Sequence, residues 1–179
     1  MKVNIYPLIV LLAVSLSSCV TTLKPFTQTD KKELKLGENE LKRVQFYVSE
    51  DIVLQRKAGA ESREIEDGKI RVVDGEKIEE VIVKKGTPGV LEYYPGDGRM
   101  GITFEDGEGR YLMFGPNPIR DGRFFLFGSE WKNNIGKITY EDKTYYTAPG
   151  CGNAYLLVDL KKLKKTTVSQ RQAEGRKVN

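Results

Sequence analysis

Cys151 is the side chain best suited to nucleophilic chemistry, yet the sequence supplies no base to activate it. It lies in residues 149–153 (PGCGN), and the chain contains no histidine. A cysteine nucleophile normally has its thiol deprotonated by, or paired with, a histidine. The same absence disfavours a Ser-His-Asp hydrolase and the usual zinc sites. We therefore expect Cys151 to be a buried structural thiol or to form a disulfide with another protein.

Carboxylate chemistry is the remaining catalytic option. Four acidic residues lie close together in the sequence: Asp97, Glu105, Asp106 and Glu108. A glycosidase needs two carboxylates roughly 5 to 10 Å apart across a cleft, but all four residues belong to turn sequences, where acidic side chains are expected. Residues 106–110 (DGEGR) also lack the alternating oxygen ligands of an EF-hand loop. The sequence therefore predicts a non-catalytic protein with no metal site and no cofactor, unless a carboxylate pair faces a cleft.

Aromatic side chains are the richest feature left for binding, since thirteen of the seventeen lie between Tyr93 and Tyr155. Adjacent pairs occur at 93–94, 124–125 and 145–146, and a strand through such a pair shows one ring to each face. The outward ring is either covered by another element or is a platform for sugar, lipid or a partner protein. The candidate binding residues are Tyr94, Phe125, Trp131 and Tyr146.

The elements that must position these rings are strands. Val44, Phe46 and Val48 alternate with polar or amphipathic residues, which is the period-two pattern of a half-buried strand. Asp-Gly readily takes the positive φ angles of a type I′ turn and so indicates a hairpin. Five such pairs occur, at 67–68, 74–75, 97–98, 106–107 and 121–122.

The apolar runs between these turns set the fold class. Many short strands separated by turn signals predict an all-β domain, an antiparallel β-sandwich or small barrel built from hairpins. Residues 86–89 (GTPG) predict a further turn with Gly89 at its flexible position. Residues 115–118 (GPNP) are either a binding loop or a connection between strands. The strand runs are 44–48, 52–55, 69–73, 77–83, 90–94, 100–104, 111–114, 124–127, 137–140, 143–147 and 154–160.

The chain begins with a segment typical of secretion. Lys2 precedes an apolar run over residues 8–14, which is shorter than the roughly 20 residues that span a bilayer. The run leads into Leu16, Ser17, Ser18 and Cys19, a stretch that resembles the lipobox of bacterial lipoprotein precursors. That resemblance implies a signal peptide over residues 1–18, cleavage before Cys19, and attachment of a diacylglycerol and an N-acyl chain such as palmitate to Cys19.

The residues after Cys19 indicate the membrane to which a lipoprotein would be sorted. Positions 20–24 (VTTLK) contain no acidic residue, so they carry neither the aspartate that retains a lipoprotein in the inner membrane nor the acidic cluster that marks some for the cell surface. The lipoprotein resemblance therefore implies the inner leaflet of the outer membrane, facing the periplasm. Three acyl chains would make such an anchor effectively permanent.

The charge pattern divides the chain further. Residues 19–43, rich in threonine and mixed charge, are typical of a flexible lipidated tether, and residues 44–160 form the predicted all-β domain. Residues 161–179 are a basic C-terminal extension with seven basic residues and one acidic residue. Because the positive charge is concentrated there, the body gives no signal for nucleic acid. The extension is either a solvated, aggregation-preventing edge or a contact with anionic headgroups or cell-wall carboxylates.

Together these features predict an outer-membrane-anchored periplasmic lipoprotein that acts as a non-catalytic binding or accessory subunit of an envelope assembly or transport complex. The expected partners are the membrane, through the lipid anchor, and an envelope protein, with a glycan or anionic lipid as further candidates and no nucleic acid. The alternative is a carrier or sensor for a small apolar or glycan ligand in a β cavity. A closed apolar cavity of roughly 300 Å³ or more would favour the carrier; a flat exposed aromatic patch would favour the subunit.

Overall fold

A computed structural model describes residues 22–57 and 78–167. The lipobox, Cys19, the Asp-Gly pairs at 67–68 and 74–75, the run at 69–73 and the chain after residue 167 lie outside this part. Short 3-10 turns cover Pro118–Arg120 and Cys151–Asn153. The helices within it are α1 (Gln28–Glu33), α2 (Glu38–Leu41) and α3 (Leu160–Thr167). The strands are β1 (Leu23–Pro25), β2 (Phe46–Val48), β3 (Ile52–Lys57), β4 (Ile78–Val83), β5 (Pro88–Tyr93), β6 (Met100–Thr103), β7 (Tyr111–Asn117), β8 (Arg123–Leu126), β9 (Glu130–Lys132), β10 (Ile135–Tyr140), β11 (Lys143–Thr147) and β12 (Leu156–Asp159).

The strands form two antiparallel sheets. The larger has the order β1-β12-β2-β5-β6-β7-β8, and the smaller has the order β4-β3-β11-β10-β9. Apolar side chains from both sheets meet in one core, which includes Phe46 and Leu112 from the larger sheet and Leu54 and Ile138 from the smaller. Neither sheet closes into a barrel within the described ranges. The all-β prediction is therefore confirmed, in the form of a sandwich.

The turn chemistry of the sequence accounts for the hairpins. Gly98 (φ 91°) lies between β5 and β6, and Gly107 (φ 133°) lies between β6 and β7. Asp121 and Gly122 both have positive φ, 56° and 67°, at the turn into β8. These three Asp-Gly predictions are confirmed because each pair is followed by a strand that pairs with the one before it.

Two turn predictions are wrong in detail. In residues 86–89 the positive φ belongs to Gly86 (79°), whereas Gly89 lies inside β5. Most of residues 115–118 are strand and not loop, since Gly115 to Asn117 continue β7 and pair with β8. The short edge strand β9 was not predicted; it pairs with β10 opposite Gly136.

The flexible tether predicted over residues 19–43 is wrong from residue 23 onward. Leu23 pairs with Asp159, and Pro25 with Leu157, so β1 is an edge strand of the larger sheet. Phe26 is completely buried and its ring lies 5.3 Å from Phe46 and 5.1 Å from Phe124. A segment whose aromatic ring is inserted into the core is part of the domain.

The residues after Phe26 connect the two edges of the larger sheet. The Phe26 amide donates to Leu156 in β12, while the Gln28 amide donates to Gly122 beside β8. A bridge between Thr27 and Arg123 lies between these contacts. The sheet therefore curls so that its first and last strands approach each other, with Phe26 enclosed.

Helix α1 begins at a capping box. The Thr27 hydroxyl accepts a hydrogen bond from the Asp30 amide, and the Asp30 carboxylate accepts one from the Thr27 amide. These bonds satisfy backbone donors that a helix start leaves unpaired. Leu36, which follows α1, and Leu41, at the end of α2, are both buried. These few apolar residues allow the otherwise charged segment around the two helices to cover the core.

The basic extension predicted from residue 161 starts as a helix. The Asp159 carboxylate accepts hydrogen bonds from the amides of Lys161 and Lys162, which caps α3. Leu163 is buried, so the first turn packs onto the domain and the last strand is not extended. None of the helices in residues 22–57 and 78–167 has the length and apolar character required to span a membrane.

Candidate functional site

A cleft of about 250 Å³ lies between the larger sheet and β10 of the smaller one. In β7, Tyr111 and Met113 alternate with the buried residues Leu112 and Phe114. The side of β7 that faces away from the core therefore supplies one wall of the cleft. The cleft is lined by Tyr93, Pro95, Arg99, Gly109, Tyr111, Met113, Phe127, Ser129, Lys137, Ile138, Thr139 and Asp142.

Two tyrosines form the first aromatic part of this wall. The rings of Tyr93 and Tyr111 are 5.4 Å apart and inclined by 33°. Gly101 lies beneath them: a Cβ at this position would be 2.7 Å from Tyr111 Cδ2 and 2.9 Å from Tyr93 Cβ. Only a residue without a side chain lets both aromatic side chains lie this close to β6.

Phe127 and Arg99 form the second part. The Arg99 guanidinium lies 4.7 Å from the centre of the Phe127 ring, which is a cation–π contact. Arg99 Nε also donates a 2.6 Å hydrogen bond to Asp97, and this interaction holds the pKa of the Asp97 carboxyl below its ordinary value. The aromatic wall therefore ends in a fixed guanidinium.

The opposite wall is polar. Lys137 and Thr139 are exposed on β10 and alternate with buried Ile138. The Ser129 hydroxyl and amide both donate to the Lys137 carbonyl, at 3.2 and 2.9 Å. In the described part of the chain, no carboxylate lies within ion-pair distance of the Lys137 ammonium. Glu130 lies opposite Lys137 on β9, but the two side chains form no ion pair in this part of the chain.

The far end of the cleft is acidic. Gly109 lies against the backbone of Glu141 and Asp142, which form the turn between β10 and β11. Burial chiefly, and then the charges of Tyr93 and Asp142, raise the pKa of Tyr111. Lys137 lies beside Ser129 within β10, whereas Asp142 lies beside Gly109 in the turn after β10, so the cleft carries its cation and its anion at separate places.

None of the four predicted binding residues lines this cleft. Tyr94 packs against the core and its hydroxyl accepts a 2.7 Å hydrogen bond from Lys31 in α1. Phe125 is 8% exposed and is covered by the Arg120 guanidinium, 4.8 Å from its ring centre. Tyr146 is half-buried on β11. A binding role for these residues stays a prediction.

Trp131, the fourth of them, lies at the edge of the smaller sheet. It is 39% exposed. Cβ atoms placed on Gly136 and on Gly152 would come within 2.8 and 2.9 Å of its ring. The indole therefore contacts both β10 and the 3-10 turn at Cys151–Asn153. Arg120 also contacts this turn, through a hydrogen bond to Asn153.

The sequence did not indicate Tyr93 as the outward ring because of one irregularity in β5. The rule that adjacent rings lie on opposite faces holds for residues 93–94, but the outward ring is Tyr93, at 46% exposure. The pairing of β5 with β6 shifts register between Leu91 and Tyr93. Such a bulge reverses the alternation that would otherwise turn Tyr94 outward. Tyr111 and Met113 could be recognised from the sequence, because they alternate with Leu112 and Phe114 and therefore face away from the core.

Two of the four candidate catalytic carboxylates, Asp97 and Glu105, are held in ion pairs and hydrogen bonds. Glu105 accepts a hydrogen bond from the Tyr140 hydroxyl and lies 3.7 Å from Arg110, which also pairs with Glu141 at 2.6 Å. Burial, followed by the bond to Glu105, raises the pKa of Tyr140. In the portion of the chain that is described, no three potential metal ligands among His, Cys, Asp and Glu cluster together.

Cys151 lies at the core. Its side chain is 6% exposed and its sulfur accepts a 3.5 Å hydrogen bond from the Val53 amide in β3. The thiol is free. Cys151 is therefore a buried residue of the turn at Cys151–Asn153 that packs against β3. A buried structural thiol is one of the two roles expected from the sequence.

The fold and the cleft define the class as an all-β sandwich protein with an aromatic surface cleft. A scan of protein-family models finds no match to the chain, and searches of curated proteins and of solved structures find no significant similarity. The function is therefore inferred from the geometry of the cleft and from the sequence.

Proposed function

We propose that this protein is a non-catalytic binding subunit of an envelope assembly or transport complex. Acyl chains on Cys19 would hold it at the inner leaflet of the outer membrane, facing the periplasm. The observation that carries the binding role is the cleft between β7 and β10, with an aromatic wall, a polar wall and charges at its two ends.

Exposure of the aromatic wall supports a contact site. Tyr93 is 46% and Phe127 40% exposed, although both are large apolar side chains. Exposed apolar groups gathered in one concave place, with a few polar groups around them, are typical of binding sites. Ring contacts and cation–π pairing hold these side chains in position before any partner arrives, which lowers the entropy cost of binding.

The state of the acidic residues supports a role without catalysis. A general acid in a glycosidase has a raised pKa, whereas the ion pair with Arg99 lowers the pKa of Asp97. The Glu105 carboxylate accepts a hydrogen bond from the Tyr140 hydroxyl and lies within ion-pair distance of Arg110. Neither Asp97 nor Glu105 lines the cleft.

A second candidate is a carrier or sensor for a small glycan or apolar ligand. The observation that favours it is the aromatic wall beside polar groups in one concave place. The volume of about 250 Å³ lies below the roughly 300 Å³ expected of a closed carrier cavity. Polar groups on one whole wall favour a glycan over a purely apolar ligand.

Site-specific photo-crosslinking in intact cells tests the proposal. A photoreactive amino acid replaces Thr139, which is exposed and lines the cleft, and in a matched variant it replaces Asn39, which is exposed in α2 outside the cleft. We expect a discrete adduct from position 139 and none from position 39. Equal adducts from both positions, or none from either, would contradict the binding of an envelope protein at the cleft.

A further inference from the structure

Flat aromatic surfaces beside polar groups indicate which ligand the cleft takes. Tyr111 lies against Gly101, and Tyr93 lies beside it with nearly half of its surface exposed. The C–H faces of a sugar ring can stack on such rings, while their edges and hydroxyls remain available for hydrogen bonds. Thr139 and Ser129 on the other wall supply further hydroxyls.

The charges favour an anion at one end. Lys137 has no carboxylate within ion-pair distance among the residues described, and Arg99, which also pairs with Asp97, lines the same cleft above Phe127. A carboxylate between them would make charge-assisted hydrogen bonds, which are stronger than those between neutral groups. Asp142, at the opposite end, suits hydroxyl or amine donors and would repel a second carboxylate.

From these features we infer that the cleft binds a saccharide unit that carries a carboxylate, with the acid group directed toward Lys137 and Arg99. This inference rests on the proposed binding function and names its ligand class. A lipid acyl chain fits less well because the wall with Lys137 and Thr139 would leave its polar groups without partners. An apolar protein segment would likewise offer the Lys137 ammonium no hydrogen-bond acceptor.

Saturation-transfer NMR and titration with matched glycosides test this ligand class. The full-length protein in detergent micelles is mixed with methyl β-glucuronoside or with methyl β-glucoside, which differ only at C6, where a carboxylate stands in place of a hydroxymethyl group, and empty micelles serve as the blank. We expect the glucuronoside to bind about tenfold more tightly, the factor that corresponds to one charge-assisted hydrogen bond of about 1.4 kcal/mol.

Three variants locate the binding. Lys137→Gln should reduce glucuronoside affinity toward that of the glucoside, with Arg99 retaining part of the preference, and the matched control Lys132→Gln, an exposed lysine outside the cleft, should leave it unchanged. Tyr93→Ala should weaken both glycosides by roughly threefold to tenfold, because the stacking surface is lost.

The outcomes separate this inference from the proposed function. Absence of glycoside binding, equal affinity for the two glycosides, or equal loss in Lys137→Gln and Lys132→Gln would overturn the acidic-saccharide assignment. If the photoreactive group at Thr139 still gave a specific protein adduct, the binding function would stand with a protein ligand. If there were neither a protein adduct nor glycoside binding, both proposals would fail.

Discussion

The burial of Phe26 provides the sharpest test of the fold, because a tether and a folded segment predict opposite effects of its removal. Phe26 is completely buried and contacts the rings of Phe46 and Phe124. Replacing a buried phenylalanine with alanine costs about 3 to 5 kcal/mol through lost burial and the cavity left behind. Domain stability is only about 5 to 15 kcal/mol, so Phe26→Ala should remove a large share of it.

Urea unfolding of the full-length protein in detergent, followed by far-ultraviolet circular dichroism, measures this change. With a slope of about 2 kcal/mol per molar urea, the midpoint for Phe26→Ala should fall by about 2 M. Phe127→Ala is the matched control because its ring is already 40% exposed, and we expect less than half of that shift.

A midpoint within about 0.3 M of the unmodified protein, well below the shift that lost burial requires, would refute the reasoning. It would mean that residues 23–41 are a tether, as their composition suggested. Failure of Phe26→Ala to fold while Phe127→Ala folds would agree with the expected loss.

Three further predictions address the anchor, the sheet and the pH response. Cys19→Ala should give an uncleaved or soluble protein without incorporated palmitate in membrane fractionation; unchanged acylation would contradict the lipobox. Gly101→Ala should cost about 1 to 3 kcal/mol in urea unfolding, since its Cβ would meet Tyr111 at 2.7 Å, whereas Gly115→Ala, with ordinary contacts at 3.5 Å, should cost less; equal costs would argue against the close ring packing. Because the folded state raises the pKa of Tyr140, stability should be complete below about pH 10 and fall as pH rises further; Tyr140→Phe should reduce this alkaline loss in unfolding curves compared at about pH 9 and about pH 11, and an unaltered loss would contradict the assignment.

Local sequence chemistry accounts for most of the strands and hairpins. Val44, Phe46 and Val48 are all buried as their alternation predicts, and Asp121 and Gly122 take the positive φ angles that their residue types favour. Side-chain period and turn preference act over a few residues, so they can be recognised in a single sequence.

The N-terminal segment and the cleft depend on contacts that are distant in sequence. Phe26 is surrounded by polar and charged residues, and its burial requires β12 and β8, about a hundred or more positions away. The outward orientation of Tyr93 depends on a register shift against β6. The average composition of a segment does not reveal the burial of Phe26, and regular strand alternation does not reveal the outward orientation of Tyr93.

The pairing of Leu23 with Asp159 sets how far the domain could stand from a lipid on Cys19. Four residue steps separate Cys19 from Leu23, and an extended chain covers at most about 14 Å over that length. This maximum length is less than twice the roughly 8 Å over which the potential of a charged bilayer surface decays at physiological salt. Helix α3 follows Asp159 directly, so Lys161 and Lys162 would start within range of the headgroups. If Cys19 carries lipid as proposed, so short a connection would give the domain a membrane-facing side and limit its tumbling.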